Sequence, residues 1–150
     1  MAAPPIQPWF WELLSSAQRS LRSLCRQLEA LPRERLRAYR ATFDDAKASV
    51  DPYLDWNEAS PHITDWPSED GADDFAAWVV VQGREFYERV LQNPGRADEF
   101  LDLFRETEMR RRPELAWDNR VDQPEYRGNQ RADTIATSIY RARFGTQTDE

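Results

Sequence analysis

From Phe10 the apolar residues recur at alternating steps of four and three: Phe10, Leu14, Ala17, Leu21, Leu24, Leu28 and Leu31. Only a helix puts residues at this spacing on one side, so the run predicts an apolar stripe about six turns long that packs against another helix. Pro32 follows at a place where a new helix can begin, because its missing N–H is not needed in a first turn. Leu36, Tyr39, Phe43 and Val50 continue the helical spacing. Residues 9–31 and 32–49 therefore read as an antiparallel helical hairpin with a very short connection.

A second strong helical signal runs from about Asp73 to Asn93. Phe75, Val79, Gln82, Phe86 and Val90 share one side, and Trp78, Val80 and Val81 add apolar surface around it. Acids at Asp70, Asp73 and Asp74 suit the positive end of the helix dipole, and Asn93-Pro94-Gly95 ends the run. Further helices are expected over 96–111, stopped by Pro113, and over 132–144, stopped by Gly145. The segments 49–72 and 114–130 lack a period and read as irregular connections. The expected fold is all-α, a compact bundle of about five helices with a central buried helix near residues 73–93. It comprises a flexible N-terminus (1–8), a single helical domain (9–145) and a flexible C-terminus (146–150).

Composition fits this picture. At 150 residues, 40% hydrophobic and 12% aromatic, the chain can bury about 70% of its unfolded surface without a metal or disulfide staple. Cys25 is its single cysteine, and the first eight residues lack the basic and apolar regions of a secretory signal, so a cytoplasmic protein is expected. No stretch approaches the roughly 20 apolar residues of a membrane span, and no membrane association is expected.

The net charge of −7 is unevenly spread. Residues 1–40 carry seven arginines against three acids, and 41–109 carry five bases against seventeen acids. So acidic a middle repels phosphate backbones, and nucleic-acid binding over that surface is not expected. Arg19, Arg22, Arg26, Arg33, Arg35, Arg37 and Arg40 could bind an acidic partner or simply form a solvated face that neutralises the acidic middle.

The inventory removes several chemistries. One histidine, His62, and one cysteine cannot build a Cys/His zinc site, and five scattered glycines leave no phosphate-cradling loop. No catalytic residue, metal site or cofactor is assigned. Ser68-Glu69-Asp70-Gly71-Ala72-Asp73-Asp74 is the densest carboxylate cluster and reads as a charged helix cap rather than a cation site. Cys25 lies beside Arg22 and Arg26 but also beside the apolar stripe, and reads as a small buried hydrophobe. Gly83, in the middle of an expected helix, suggests the close approach of another backbone. Arg84 and Glu85 beside it, with Asp73 and Asp74, are candidates for a polar ligand pocket. Trp56 and Trp66, in the irregular segment, are candidates for a partner or ligand contact, or fold back as lids on the core.

Phe10-Trp11-Glu12-Leu13-Leu14, with Leu31-Pro32 opening a second helix, resembles the start of a family of short bacterial proteins known as domain of unknown function 4240. The stretch from Asp74 through Trp78 and Gln82-Gly83-Arg84-Glu85 to Glu88, closing with Asn93-Pro94, is similar to that family's most specific segment. Tyr140 ahead of Phe144-Gly145 resembles its last helix. The resemblance covers about residues 9–100. Ala76 stands where the family has an arginine after the phenylalanine, and the segment before Asp73 lacks its Gly-Gly step and serine-aspartate run. The resemblance implies a helical fold and no particular reaction.

Taken together, the residues favour a non-catalytic protein-binding or regulatory domain whose partner is another protein. A small-ligand-binding protein or enzyme with a pocket around Arg84, Glu85, Asp73 and Asp74 is the alternative. A weaker alternative is an immunity-type inhibitor that covers a basic toxin.

Overall fold

A computed structural model describes residues 6–54, 69–126, 128 and 130–145. Among them the fold is all-helical, with α1 (Pro8–Ser16), α2 (Leu21–Glu29), α3 (Arg33–Leu54), α4 (Glu69–Val81), α5 (Arg84–Gln92), α6 (Ala97–Glu108) and α7 (Ile135–Phe144). Three single turns of 3-10 helix, Pro94–Arg96, Pro113–Leu115 and Pro124–Tyr126, each open on a proline. Among the described residues there are seven helices rather than about five, because two of the expected helices are each broken once.

The first break falls at Gln18 and Arg19, which take left-handed φ values of 52° and 61°. Ser20 then caps α2, its hydroxyl accepting from the Ser23 N–H at 3.2 Å. The freed backbone pairs with a distant segment. Leu21 N–H donates to the Asp118 carbonyl and Asp118 N–H to the Arg19 carbonyl, both at 2.8 Å. The break preserves the phase of the stripe, since Phe10, Leu14, Ala17, Leu21, Leu24 and Leu28 are all buried on both sides of it.

The second break falls at Gly83, whose φ of 107° and ψ of 173° end the helix expected over 73–93. A side chain avoids this region of backbone space, and glycine enters it freely. The expected close approach of another backbone is not found: a Cβ at Gly83 would meet no atom within 4 Å. The glycine is needed for its torsion and not for space.

Boundaries elsewhere shift in the direction of more helix. α3 runs on to Leu54 and α4 begins at Glu69, so both ends of the 49–72 segment are helical. Asp70, Asp73 and Asp74 consequently lie inside the first turns of α4 rather than ahead of it. The 114–130 connection holds two of the 3-10 turns.

The helices group into two compact units. The terminal unit joins residues 6–44 to 117–145. There α2 packs chiefly on α7 and α1, not on α3 as a hairpin would. Its core combines the stripe with Leu36, Tyr39, Phe43, Tyr126, Ile135, Ile139 and Tyr140. The Tyr39 hydroxyl reaches the Ala132 carbonyl at 2.8 Å, so its buried polar tip is satisfied.

The mid-chain unit spans 45–116. Every residue of α4 from Phe75 to Val80 is buried. Phe75, Trp78, Phe86, Phe100 and Phe104 form a connected ring cluster with centroid separations of 5.3 to 5.9 Å. The Trp78 indole N–H is buried without a hydrogen-bond partner. Its ring meets Phe86 nearly edge-on, at 85°. α6 closes with paired bonds from Arg110 N–H to Thr107 and from Arg111 N–H to Glu106, around a left-handed Arg110 at φ 62°. No helix among the described residues is long and apolar enough to cross a membrane.

Candidate functional site

Two sets of residues invite a functional reading, one in each unit. In the mid-chain unit, Asp73 and Asp74 lie in the first turns of α4, and Arg84 and Glu85 open α5. Eight residues of helix, about 12 Å of rise, separate Asp73 from the end of α4, so the two pairs sit at opposite ends of that helix. All four are exposed. Asp73 accepts an ion pair from Lys47 Nζ at 2.8 Å. Arg84 Nε pairs with Glu88 Oε2 at 3.1 Å, one turn along its own helix. Gln82, between them in sequence, donates from Nε2 to the Leu115 carbonyl at 3.0 Å. Trp56 and Trp66 lie outside the described residues, as does His62.

The terminal unit holds a different arrangement. Arg22 Nε lies 3.1 Å from an Asp122 carboxylate oxygen, in ion-pair range but misaligned for a hydrogen bond. Arg26 reaches the same carboxylate at 3.9 Å, and Arg120 and Arg131 pair with Asp118 and Asp133, both at 2.7 Å. The Arg120 contacts hold the Asp118 carboxyl well below its usual range, by side-chain hydrogen bonding first.

Arg33, Arg35, Arg37, Arg40, Arg141 and Arg143 are built otherwise. None has a carboxylate within ion-pair distance among the described residues. Three of them are held by neutral groups instead. Arg33 Nε donates to the Tyr140 hydroxyl at 2.7 Å, and its guanidinium lies 5.7 Å from both the Tyr140 and Phe144 ring centroids. Arg143 donates from Nη1 to the Leu31 and Leu28 carbonyls at 2.6 and 3.4 Å, closing the C-terminal end of α2. Its guanidinium rests 4.6 Å from the Phe144 centroid, and that of Arg35 rests 4.6 Å from Trp9.

Sequence reading found Arg33, Arg35, Arg37 and Arg40 but not the contribution of Arg141, Arg143 and Phe144. The available signal was Arg-x-Arg-Phe in the last turn of a helix, which carries no indication of its neighbour. Lys47 and Glu88, the partners of Asp73 and Arg84, were likewise not anticipated.

Cys25 is buried, with its thiol pushed up to about 11, by burial first and then by Glu29 and Asp122. It is a core thiol and not a nucleophile. Glu29 nearby accepts from the Tyr126 hydroxyl at 2.7 Å and more loosely from Gln123. Among the described residues no three His, Cys, Asp or Glu side chains group as a metal site would require.

No curated protein and no solved structure matches the chain. A family model described as "Protein of unknown function (DUF4240)" matches residues 8–141, reaching well past the segment whose motifs first suggested it. The chain belongs to this family of proteins of unknown function, DUF4240.

Proposed function

We propose that the protein is a non-catalytic binding domain that holds another protein through arginines of its terminal unit. One observation carries the reading: six arginines on α3 and α7 have no carboxylate partner among the described residues, while four others in the same unit do. A chain with 27 acids and 20 bases has carboxylates to spare, so arginines left without them are available to an outside anion. Half-buried Trp9 lies against Arg35, and half-buried Phe144 against Arg33 and Arg143, supplying the aromatic surface that interfaces favour. The reading places the protein in the cytoplasm, where a lone buried thiol remains reduced.

The test is affinity capture from lysate of the source organism with the wild-type chain and with Arg35→Glu/Arg37→Glu/Arg40→Glu. The reading expects one partner retained by the wild type, lost in the variant and released by raising salt. A partner retained equally by both proteins would refute the role of these arginines, and an empty capture would refute the binding reading.

A further inference from the structure

Among the described arginines of the terminal unit, Arg33 and Arg143 alone share a ring. Both guanidinium carbons lie over Phe144, at 5.7 and 4.6 Å from its centroid. Arg33 opens α3 and Arg143 belongs to the last turn of α7, so their meeting is a product of the fold and not of sequence proximity.

Each side chain is fixed at one point and unused at others. Arg33 spends Nε on Tyr140, and Arg143 spends Nη1 on two carbonyls. Both terminal nitrogens of Arg33, and Nε and Nη2 of Arg143, have no acceptor among the described residues. Two like charges thereby share one ring, oriented by a phenol, a ring and backbone carbonyls, with no carboxylate partner among the described residues. Glu34 lies beside Arg33 in the same turn and is exposed, yet it pairs with neither. Orientation by neutral groups removes much of the rotamer entropy that an arginine otherwise loses on engaging an anion.

We infer that Arg33 and Arg143, seated on Phe144, form a two-guanidinium clamp for a carboxylate side chain of an acidic partner segment. This rests on the protein-binding reading above and names the chemistry of that partner. A carboxylate suits the site because two planar guanidinium forks can share its two oxygens. The aromatic ring beneath favours an anion carried on an apolar stem, as on glutamate.

The experiment is fluorescence polarisation with a labelled oligoglutamate peptide at low salt, on the full chain. The clamp predicts saturable binding that weakens about tenfold in Arg33→Gln and in Arg143→Gln. It predicts less than a twofold change in Arg96→Gln, an equal loss of charge in the other unit. Arg143→Lys, which keeps the charge and can still cap α2, separates loss of the clamp from loss of folding, and it is expected to restore part of the affinity. Inorganic phosphate added as competitor should displace the peptide only as an equal ionic strength of chloride does. Binding unchanged by either substitution, or absent in the wild type, overturns the clamp. Loss on Arg35→Glu/Arg37→Glu/Arg40→Glu alone would leave the protein-binding reading standing without it. Displacement by phosphate well beyond the chloride control would assign the clamp to phosphate and overturn the carboxylate assignment.

Discussion

Arg33 and Tyr140 are joined by a 2.7 Å hydrogen bond that ties the first residue of α3 to α7 across 107 positions of sequence. The phenol is buried and the guanidinium exposed, so the bond holds a surface charge against a rigid support. Tyr140→Phe removes the acceptor while keeping the ring. Stability should fall by about 1 kcal/mol in urea unfolding, the usual worth of one such bond. An unchanged midpoint would show that Arg33 is not anchored there.

Gly83 separates α4 from α5 with a φ of 107°. Gly83→Ala meets no steric obstacle beyond its own backbone, so its cost is torsional, about 1–3 kcal/mol. Denaturant unfolding measures it. A stabilised variant would mean that α4 and α5 are able to fuse into the one helix that the sequence period suggests.

Arg110 presents the converse case, a non-glycine residue in the left-handed position that closes α6. Left-handed backbone costs a branched-Cβ-free residue about 1–2 kcal/mol, and glycine gives back about 0.5–1 kcal/mol through its freer unfolded chain. Arg110→Gly is therefore expected to raise stability by up to about 1 kcal/mol, read from a thermal or urea midpoint. A destabilised variant would point to a side-chain role for Arg110.

How the sequence revealed these features differs by element. The stripe from Phe10 to Leu28 was legible because burial depends on angular position, and the break at Gln18 and Arg19 leaves that position unchanged. The break itself was not legible, since its hydrogen bonds come from Asp118, a hundred residues away in the chain. Gly83 stands out in the sequence, but its role does not, because a glycine letter does not distinguish closeness of packing from sign of φ. The arginines of α3 can be counted in the sequence, whereas their lack of carboxylate partners among the described residues and the link of Arg33 to Arg143 are tertiary facts. The contacts of Arg84 and Asp73, with Glu88 and Lys47, needed the structure for the same reason in the second case. In the first, an i,i+4 pair was there to be read.

Cys25 supplies a pH prediction. Its thiol pKa stands at about 11 against an ordinary 9.0, raised by burial. The folded state thus holds the proton more tightly than the unfolded state does. This contribution is fully present below pH 9 and is lost as pH rises toward about 11. Unfolding midpoints of the wild type should fall across that window, and those of Cys25→Ala should fall less steeply. Alkylation of the folded protein at pH 8 should be slow. Rapid labelling in native buffer would contradict a buried core thiol.

The central claim is that arginines of the terminal unit meet a protein partner. Arginine footprinting with a guanidinium-specific reagent, on the free chain and on its purified complex, tests it most directly. Protection of Arg33, Arg35, Arg37 and Arg143 on complex formation, with Arg84 and Arg89 labelled as before, is the predicted result. Protection confined to Arg84 and Arg89, or none at the terminal-unit arginines, would contradict the account.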